Sequence, residues 1–206
     1  MFRRLLAALC LCSGGRPTTS ATGKSPELSA SAIVAETVSG SHVLAVEGYS
    51  GTKRLGNGKG VTSRTFTVGG HRWSVAYYPN GRTPEAADWV AIFLQLQQGV
   101  VAAAAAADMD VIVGFTISLL DQDGVPVPSY SCHDNGTLRT FNSKMPSWGY
   151  AKFIERKVLE GSAYLRDDCF RVRVDIIVSK EIRTEDRDAA IGARRPSPPE
   201  RGQTSC

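Results

Sequence analysis

The sequence is poor in the residues that build metal centres and disulfide scaffolds. It contains five cysteines and three histidines in 206 residues. The cysteine count is odd, and no pair has zinc-ligand spacing with a matching second pair. Two cysteines lie near the start of the chain and one is its last residue, which leaves Cys132 and Cys169 in the body. This distribution argues against a disulfide framework and favours a reducing, intracellular compartment, with no metal and no cofactor expected.

The body of the chain also lacks an excess of charge of either sign. The sequence has 24 basic and 20 acidic residues, and four of the basic ones lie in residues 1–26, which contain no Asp or Glu. The remaining 24 − 4 = 20 basic residues therefore balance the 20 acidic ones. Because nucleic-acid-binding proteins carry a basic surface, we expect no nucleic acid partner.

The apolar run near the start of the chain is too short to cross a bilayer, which takes about 20 residues, and we expect no membrane association. The stretch "MFRRLLAALCLCSGG" nevertheless has the basic start, short apolar run and small residues of a secretory signal peptide. Arg, Ser and Thr without acidic residues would equally suit an organelle transit peptide. A disordered extension is the third reading of residues 1–30.

Strand patterns dominate the middle of the chain. The clearest is a hairpin in "SRTFTVGGHRWSVAYYP", with strands at 65–68 and 71–78 joined by Gly69-Gly70. Residues 167–180 alternate between apolar and charged side chains, as a strand with one buried face does. Further strands are predicted at 41–49, 88–97 and 110–124. Several short strands with Gly, Pro, Asn and Asp between them indicate an all-β antiparallel sandwich.

Short helices are predicted over residues 83–89, where Pro84 suits a first turn, and over 149–159, where apolar spacing is loosely helical. The alanine run at 102–107 is shorter than the ~12–15 residues of a stable isolated helix, so we interpret it as a loop. Polar and proline-rich composition predicts disorder in residues 181–206. One domain, at 31–180, is left between the ends.

Three motifs resemble catalytic or binding sites only weakly. Cys132, His133 and Asp134 are the residue types of a nucleophile, base and acid, but neighbours in an extended chain point to opposite sides and cannot form a relay. "DQDG" at 121–124 is better explained as a tight turn than as a calcium loop. "GNGKG" at 56–60 lacks the Ser or Thr and the strand–loop–helix context of a phosphate loop. We therefore expect no enzyme.

The stretch "SWGYAKFIERK" places Trp148 and Tyr150 on either side of Gly149, at a loop-like position that no strand or helix period explains. Either the two rings fix a loop to the core, or they face a partner. Most of the functional interpretation depends on this choice.

Five segments, read in order, resemble a MATH domain: "RTFTVGGHRWSVAYYPNG", "DWVAIFLQL", "FTISLLDQDG", "WGYAKFIERKVLE" and "YLRDDCFRVRVDIIV". The resemblance covers roughly residues 31–180 and extends to the MATH-BTB proteins of grasses. It implies a TRAF-like antiparallel β-sandwich of about eight strands, which binds short, extended, Ser/Thr-rich segments of client proteins. In MATH-BTB adaptors, the BTB domain behind it recruits a cullin-type ubiquitin ligase.

The resemblance also implies a peptide-binding groove, with Gly149 letting the backbone pass close to the ligand. Carried over residue by residue, the groove would be lined by Phe93, Phe115, Trp148, Gly149 and Tyr150. A further groove aromatic of the family falls on Arg139, which replaces an apolar wall by a cation. The Lys-Asp pair that precedes the Trp in the family is Pro146-Ser147 here, so a charge-assisted contact to the ligand is lost.

The sequence thus predicts a non-enzymatic substrate-recognition module, a monomer in the cytoplasm or nucleus. Only 26 residues follow Lys180, whereas a BTB domain needs on the order of 100, so we expect no direct cullin binding. Such a form would compete with full-length adaptors for clients, or be a truncated gene product. The alternative is a secreted, lectin-like β-sandwich binding protein that an N-terminal signal releases.

Overall fold

The computed structural model describes residues 29–97, 110–133 and 136–187. The chain divides into two compact units. One is Ile33–Glu185; the other takes in the two ends of the chain, of which the structure describes 29–32 and 186–187. Both large β-sheets and the candidate site lie in Ile33–Glu185.

The described residues form twelve strands and three short helical segments. The strands are β1 (Ala30–Val34), β2 (Thr37–Glu47), β3 (Val61–Thr62), β4 (Phe66–Val68), β5 (His71–Tyr78), β6 (Trp89–Gln97), β7 (Val111–Leu120), β8 (Pro126–His133), β9 (Arg139–Phe141), β10 (Ser147–Glu155), β11 (Cys169–Ser179) and β12 (Arg183–Arg187). The helical segments are α1 (Tyr49–Thr52), a 3-10 turn (Pro84–Ala86) and α2 (Arg156–Glu160).

Most strands belong to two antiparallel sheets of five strands each. The first, which we call the β6 sheet, has the order β10-β6-β5-β3, with β4 also pairing with β5. The second, the β11 sheet, has the order β2-β11-β7-β8, with β9 also pairing with β7. β1 and β12 pair with each other in a two-stranded sheet. The expected all-β antiparallel sandwich is therefore confirmed.

The core lies between the two large sheets, because their strands turn alternate apolar side chains inward. In β11 the buried face is the predicted one, with Phe170, Val172, Val174 and Ile176. Two edge-to-face ring pairs join the sheets: Trp73 with Phe141 at 5.2 Å and Tyr77 with Phe170 at 5.9 Å between centroids. Each fully buried aliphatic or aromatic side chain of this kind stabilises the fold by about 1.5–3 kcal/mol.

The hairpin of β4 and β5 forms as the sequence predicts. Val68 pairs with His71, and Gly69 and Gly70 make the turn with φ of 65° and 85°. Two consecutive positive φ values are what a two-residue hairpin of this hand requires, and glycine adopts them without a steric penalty. The strands expected at 41–49, 88–97, 110–124 and 167–180 are present as β2, β6, β7 and β11.

The helix predicted over 149–159 is wrong in its first part. β10 continues to Glu155, and only α2 is helical. Trp148 and Tyr150 are therefore not in a loop-like position, since they stand two residues apart on one strand. The antiparallel pairing of β10 with β6 supplies long-range hydrogen bonds, which override a weak local helical pattern.

Several other elements differ from the predictions. The helix expected at 83–89 is a single 3-10 turn, and α1 and β8 were not predicted. β12 lies beyond residue 180, in the segment expected to be disordered; there Arg183 forms two hydrogen bonds with Glu36, at 3.1 and 2.9 Å. The predictions for residues 1–28, for the alanine run at 102–107 and for 188–206 lie outside the described residues.

Candidate functional site

β10 is an end strand of the β6 sheet. It pairs with β6 on one side, and no other strand in the described part of the chain pairs with its second edge. The pairing is regular from Ser147 to Tyr150, is interrupted by a bulge, and resumes at Ile154. An end strand presents backbone N–H and C=O groups that an extended chain can pair with. The free edge of β10 is therefore a candidate docking line.

Gly149 lets β10 approach β6 closely. It lies opposite Phe93, and a Cβ at this position would overlap the carbonyl O of Ile92 and lie 2.5 Å from the Cα of Phe93. Any side chain would have to push the two strands apart. The family resemblance implies that this glycine lets the backbone pass close to a ligand; in the structure, the backbone that lies close to it is that of β6.

Trp148 and Tyr150 share the inner face of the β6 sheet. They lie opposite Leu94 and Ile92, which are fully buried, and both rings are half-buried against the rim of the core. The ring of Phe115, on β7 of the opposite sheet, lies 6.2 Å from that of Tyr150. The two sheets thus contribute neighbouring aromatic rings at the end of the sandwich where β10 runs.

Arg139 and Thr140 of β9 hold Trp148 in place. The indole Nε1 donates a hydrogen bond to the carbonyl O of Thr140 at 2.9 Å. The guanidinium of Arg139 lies 4.6 Å from the centre of the indole ring. A cation over an indole is worth about 0.5–1 kcal/mol at an exposed site. Arg139 therefore covers the ring and adds positive charge beside it.

Phe93 lies on the other face of β6. Its neighbours Ile92 and Leu94 point into the core, so its half-buried ring faces outward. There it packs edge-to-face against Tyr78 at 6.0 Å, and the guanidinium of Arg82 lies 4.8 Å from its centre. Gly149 is the residue of β10 that lies opposite Phe93. Because glycine has no side chain, Phe93 is not screened there from the second edge of β10.

The structure brings four of the six sequence-predicted site residues together on one side of β10. These are Phe115, Arg139, Trp148 and Tyr150, although Phe115 is only 8% exposed and supports the others from beneath. Phe93 lies on the opposite, outer face of the sheet, and Gly149 is the β10 residue paired with it, between Trp148 and Tyr150 in the chain. An extended chain at the free edge would place alternate side chains on the two sides of its own strand, one toward each group.

Four residues beside Phe93 were missed by sequence reasoning: Tyr78, Arg82, Trp89 and Lys152. Two of them carry a signal that could have been read. Period-two counting places Trp89 on the same face of β6 as Phe93, and Tyr78 on the face of β5 opposite to Trp73, Val75 and Tyr77, without showing which face is the outer one. The positions of Arg82 and Lys152 depend on a loop and a bulge, which no periodicity predicts.

Of the Cys132, His133 and Asp134 motif, the structure describes the first two residues, and Asp134 lies outside the described ranges. Cys132 and His133 pair with successive residues of β7, so their side chains point to opposite faces. Burial raises the pKa of the Cys132 thiol, which disfavours the reactive thiolate. Asp121 accepts hydrogen bonds from the backbone N–H of Asp123 and Val125, which makes "DQDG" the expected tight turn.

Within 29–97, 110–133 and 136–187, no group of three or more His, Cys, Asp or Glu side chains is placed to hold a metal ion. In the same ranges no helix is long and apolar enough to span a membrane.

The described residues thus form an all-β antiparallel sandwich with aromatic rings beside the end strand β10. The chain belongs to the MATH domain family, whose model matches residues 41–176. MATH domains are protein-interaction modules and are not known as enzymes. The family predicted from the five sequence segments is therefore confirmed.

The relatives found are plant proteins. The chain is 36% identical over 163 residues to BTB/POZ and MATH domain-containing protein 4 of Arabidopsis thaliana, covering 76% of this chain and 33% of that protein. It is 35% identical over 154 residues to protein 6 of the same series, covering 71% and 35%. The chain thus spans about a third of the length of these relatives.

One solved structure, Notothenia coriiceps TRAF5, aligns with 66% of this chain and 72% of its own, at 16% identity and a TM-score of 0.46.

Proposed function

We propose that this MATH domain is a substrate-recognition module that binds a short extended segment of a client protein along the free edge of β10. The observation that carries the proposal is the placement of Trp148 and Tyr150 at alternate positions of an end strand. Beside them, Phe115 and Arg139 complete an aromatic and cationic wall. The six residues Phe93, Phe115, Arg139, Trp148, Gly149 and Tyr150 form the proposed groove.

The physics of strand addition fits this geometry. Backbone hydrogen bonds to β10 would supply affinity that does not depend on client sequence, and alternate side chains would supply specificity. Side chains on one face of the added strand would reach Trp148 and Tyr150, and those on the other would reach Phe93 past Gly149. Central aromatic residues dominate such interfaces, and truncating one typically costs at least ~2 kcal/mol.

The clients we propose carry Ser/Thr-rich linear motifs. Short hydroxyl side chains can enter shallow slots between rings and hydrogen-bond to the strand edge at small cost in rotamer entropy. Arg139 stands where other family members have an aromatic wall, so the client motif of this chain should tolerate or favour polar residues at that point. The motif preference of other family members is not transferred.

The names of the relatives suggest the wider setting. They combine a MATH domain with a BTB/POZ domain. We propose that this chain performs the client-capture part of such ubiquitin-ligase adaptors, as a monomer in the cytoplasm or nucleus. The free thiols of Cys132 and Cys169 support a reducing compartment. We propose no cullin contact for the MATH domain itself.

A peptide array tests the proposal. Purified protein is applied to short Ser/Thr-rich peptides, and the affinities of binders are measured in solution for the wild type, Trp148→Ala and Phe93→Ala. We expect each variant to weaken binding about 30-fold, the equivalent of ~2 kcal/mol. Trp148→Phe should recover part of the loss, because it restores a ring.

Tyr164→Ala is the matched control, since it removes a half-buried aromatic that packs against Tyr130 and forms no ring contact with any of the six groove residues in the described structure. Circular dichroism and thermal unfolding confirm that each variant is folded. Unchanged binding in both Trp148→Ala and Phe93→Ala would count decisively against the groove.

A further inference from the structure

A row of aromatic rings lies on the outer face of the β6 sheet. Trp89 and Phe93 of β6 and Tyr78 of β5 all point away from the core, because they alternate with buried residues such as Val90 and Ile92. All three rings are half-buried. They lie beside β10, on the face opposite to Trp148 and Tyr150.

A cation lies over each end of this row. The guanidinium of Arg82 is 4.8 Å from the centre of the Phe93 ring and 5.9 Å from that of Tyr78. The ammonium of Lys152, in the bulge of β10, is 5.9 Å from the centre of the Trp89 ring. Both side chains are exposed, and neither cation forms a hydrogen bond or ion pair with any residue that the structure describes.

A cation that rests on an aromatic ring is preorganised to bind an anion. An exposed ion pair usually gains little, because two long side chains must be ordered to form it. A cation that already rests on a ring has lost part of that freedom, so less entropy is lost when an anion arrives. The ring keeps one side of the cation covered and leaves the other side open to a ligand.

The spacing of the two rings beneath the cations corresponds to four residues of an extended chain. Trp89 and Phe93 are four residues apart on one face of β6, which corresponds to about 13 Å at the rise of a strand. In a second extended chain alongside, residues i and i+4 lie on one face at the same spacing. Residues i and i+3 lie on opposite faces, so only one of them could reach this surface.

We propose that the segment captured at β10 carries two anionic side chains four residues apart, one pairing with Arg82 and the other with Lys152. This inference rests on the proposed function, and it names the charge pattern of the client. Carboxylates of Asp or Glu and the phosphate of phosphoserine share the required chemistry. The outer face thus selects client segments by the charge of their side chains, while the inner face with Trp148 and Tyr150 selects them by side-chain shape.

Glu155 lies opposite Trp89 in the pairing of β10 with β6 and is one acidic neighbour of this surface. Glu85 is another. Its own backbone N–H and then the Thr83 hydroxyl are the main causes that lower the pKa of its carboxyl, and Lys152 contributes in the same direction. Glu85 therefore competes weakly for Lys152. Replacing it by Gln should strengthen binding of an anionic segment and leave that of a neutral one unchanged.

The test uses four peptides built on one Ser/Thr-rich binder from the array. One carries Glu at i and i+4, a second Glu at i and i+3, a third phosphoserine at i and i+4, and the fourth Gln at i and i+4. At low salt we expect the first to bind about three- to tenfold more tightly than the Gln peptide, since two exposed ion pairs each gain only a little. The i, i+3 peptide should gain at most half as much in free energy.

Protein variants assign the effect to the two cations. Arg82→Gln combined with Lys152→Gln should abolish the advantage of the i, i+4 Glu peptide over the Gln peptide. Lys59→Gln combined with Arg64→Gln removes the same charge from exposed positions whose cations lie over none of the three rings in the described structure, and it should keep the advantage. Raising the salt concentration should reduce it. Tighter binding of the phosphoserine peptide than of its Glu counterpart would identify phosphate as the ligand, and otherwise carboxylate is the ligand.

Two results would overturn the inference. Equal affinity of the i, i+4 and i, i+3 peptides, or an advantage that survives in the Arg82 and Lys152 double variant, rejects the charge pattern while the groove stands. Absence of binding by all four peptides and by the array rejects the proposed function together with it.

Discussion

Gly149 lies opposite Phe93 in the pairing of β10 with β6, and the space a Cβ would need there is occupied by the main chain of β6. β10 can therefore lie this close to β6 only because residue 149 has no side chain. This relationship sets the distance between the two halves of the proposed groove, since Trp148 and Tyr150 flank the glycine on one face and Phe93 lies behind it on the other.

Gly149→Ala should destabilise the fold by about 1–3 kcal/mol, the usual cost of forcing an added group into a packed site. Urea unfolding at neutral pH measures the change. Gly56→Ala is the control, because nothing lies within 4 Å of a Cβ built at Gly56 and its φ is not positive. The control should change stability by no more than about 0.5 kcal/mol. Equal stability of Gly149→Ala and wild type would contradict the close approach of the two strands.

The turn before β11 contains two aspartates with positive φ, 51° at Asp167 and 59° at Asp168. Asp168 is held there by α1: its carboxylate accepts hydrogen bonds from the backbone N–H and the hydroxyl of Ser50, at 2.9 and 2.7 Å. Asp168→Ala should lower the free energy of unfolding more than Asp167→Ala does, as loss of a helix cap does. The two variants share the backbone strain, so their difference in urea unfolding isolates the cap. No difference would mean that the cap contributes nothing.

Stability should fall on mild acidification. Burial lowers the pKa of His42, whose ring stacks on Phe66 at 4.1 Å, and burial followed by the charge of Lys180 lowers that of His71. In the unfolded chain both titrate near 6.5, so below that pH the unfolded state binds more protons than the folded one. The contribution of the two histidines to the free energy of unfolding is therefore fully present above about pH 6.5. It is lost as the pH falls through this value toward the lower folded-state pKa values.

Urea midpoints at pH 7.5 and 5.5 measure this effect, and the midpoint should be lower at pH 5.5. A His42→Leu, His71→Gln double variant should show a smaller shift between the two pH values than wild type. In His133→Gln both half-buried histidines remain, so the shift should persist. A shift that is the same in the double variant and in wild type would assign the acid sensitivity to other groups.

The fold was predictable where local patterns and tertiary structure agree. β11 alternates apolar and charged residues, as a strand with one buried face does. Gly69-Gly70 readily adopts the two positive φ values that the hairpin of β4 and β5 requires. β10 was misread because Lys152 and Glu155 interrupt its apolar alternation and its bulge breaks the period. Only the long-range pairing with β6 makes this segment a strand.

The site was predictable only in part, for a related reason. Trp148 and Tyr150 were identified through a family resemblance, but "DWVAIFLQL" is apolar at nearly every position, so its sequence does not show that Phe93 faces away from the core. The cations above the outer rings could not be predicted either. Their positions follow from the loop that carries Arg82 and the bulge that carries Lys152, and these are set by packing.

Backbone amide hydrogen exchange of the free protein and of its complex with the tightest-binding peptide tests strand addition most directly. If a client segment pairs with the free edge, amides within Ser147–Glu155 whose N–H groups point away from β6 become protected on binding, and those already paired with β6 change little. Binding that leaves exchange in β10 unchanged and protects another surface, such as the outer face of β2 and β11, would contradict the account.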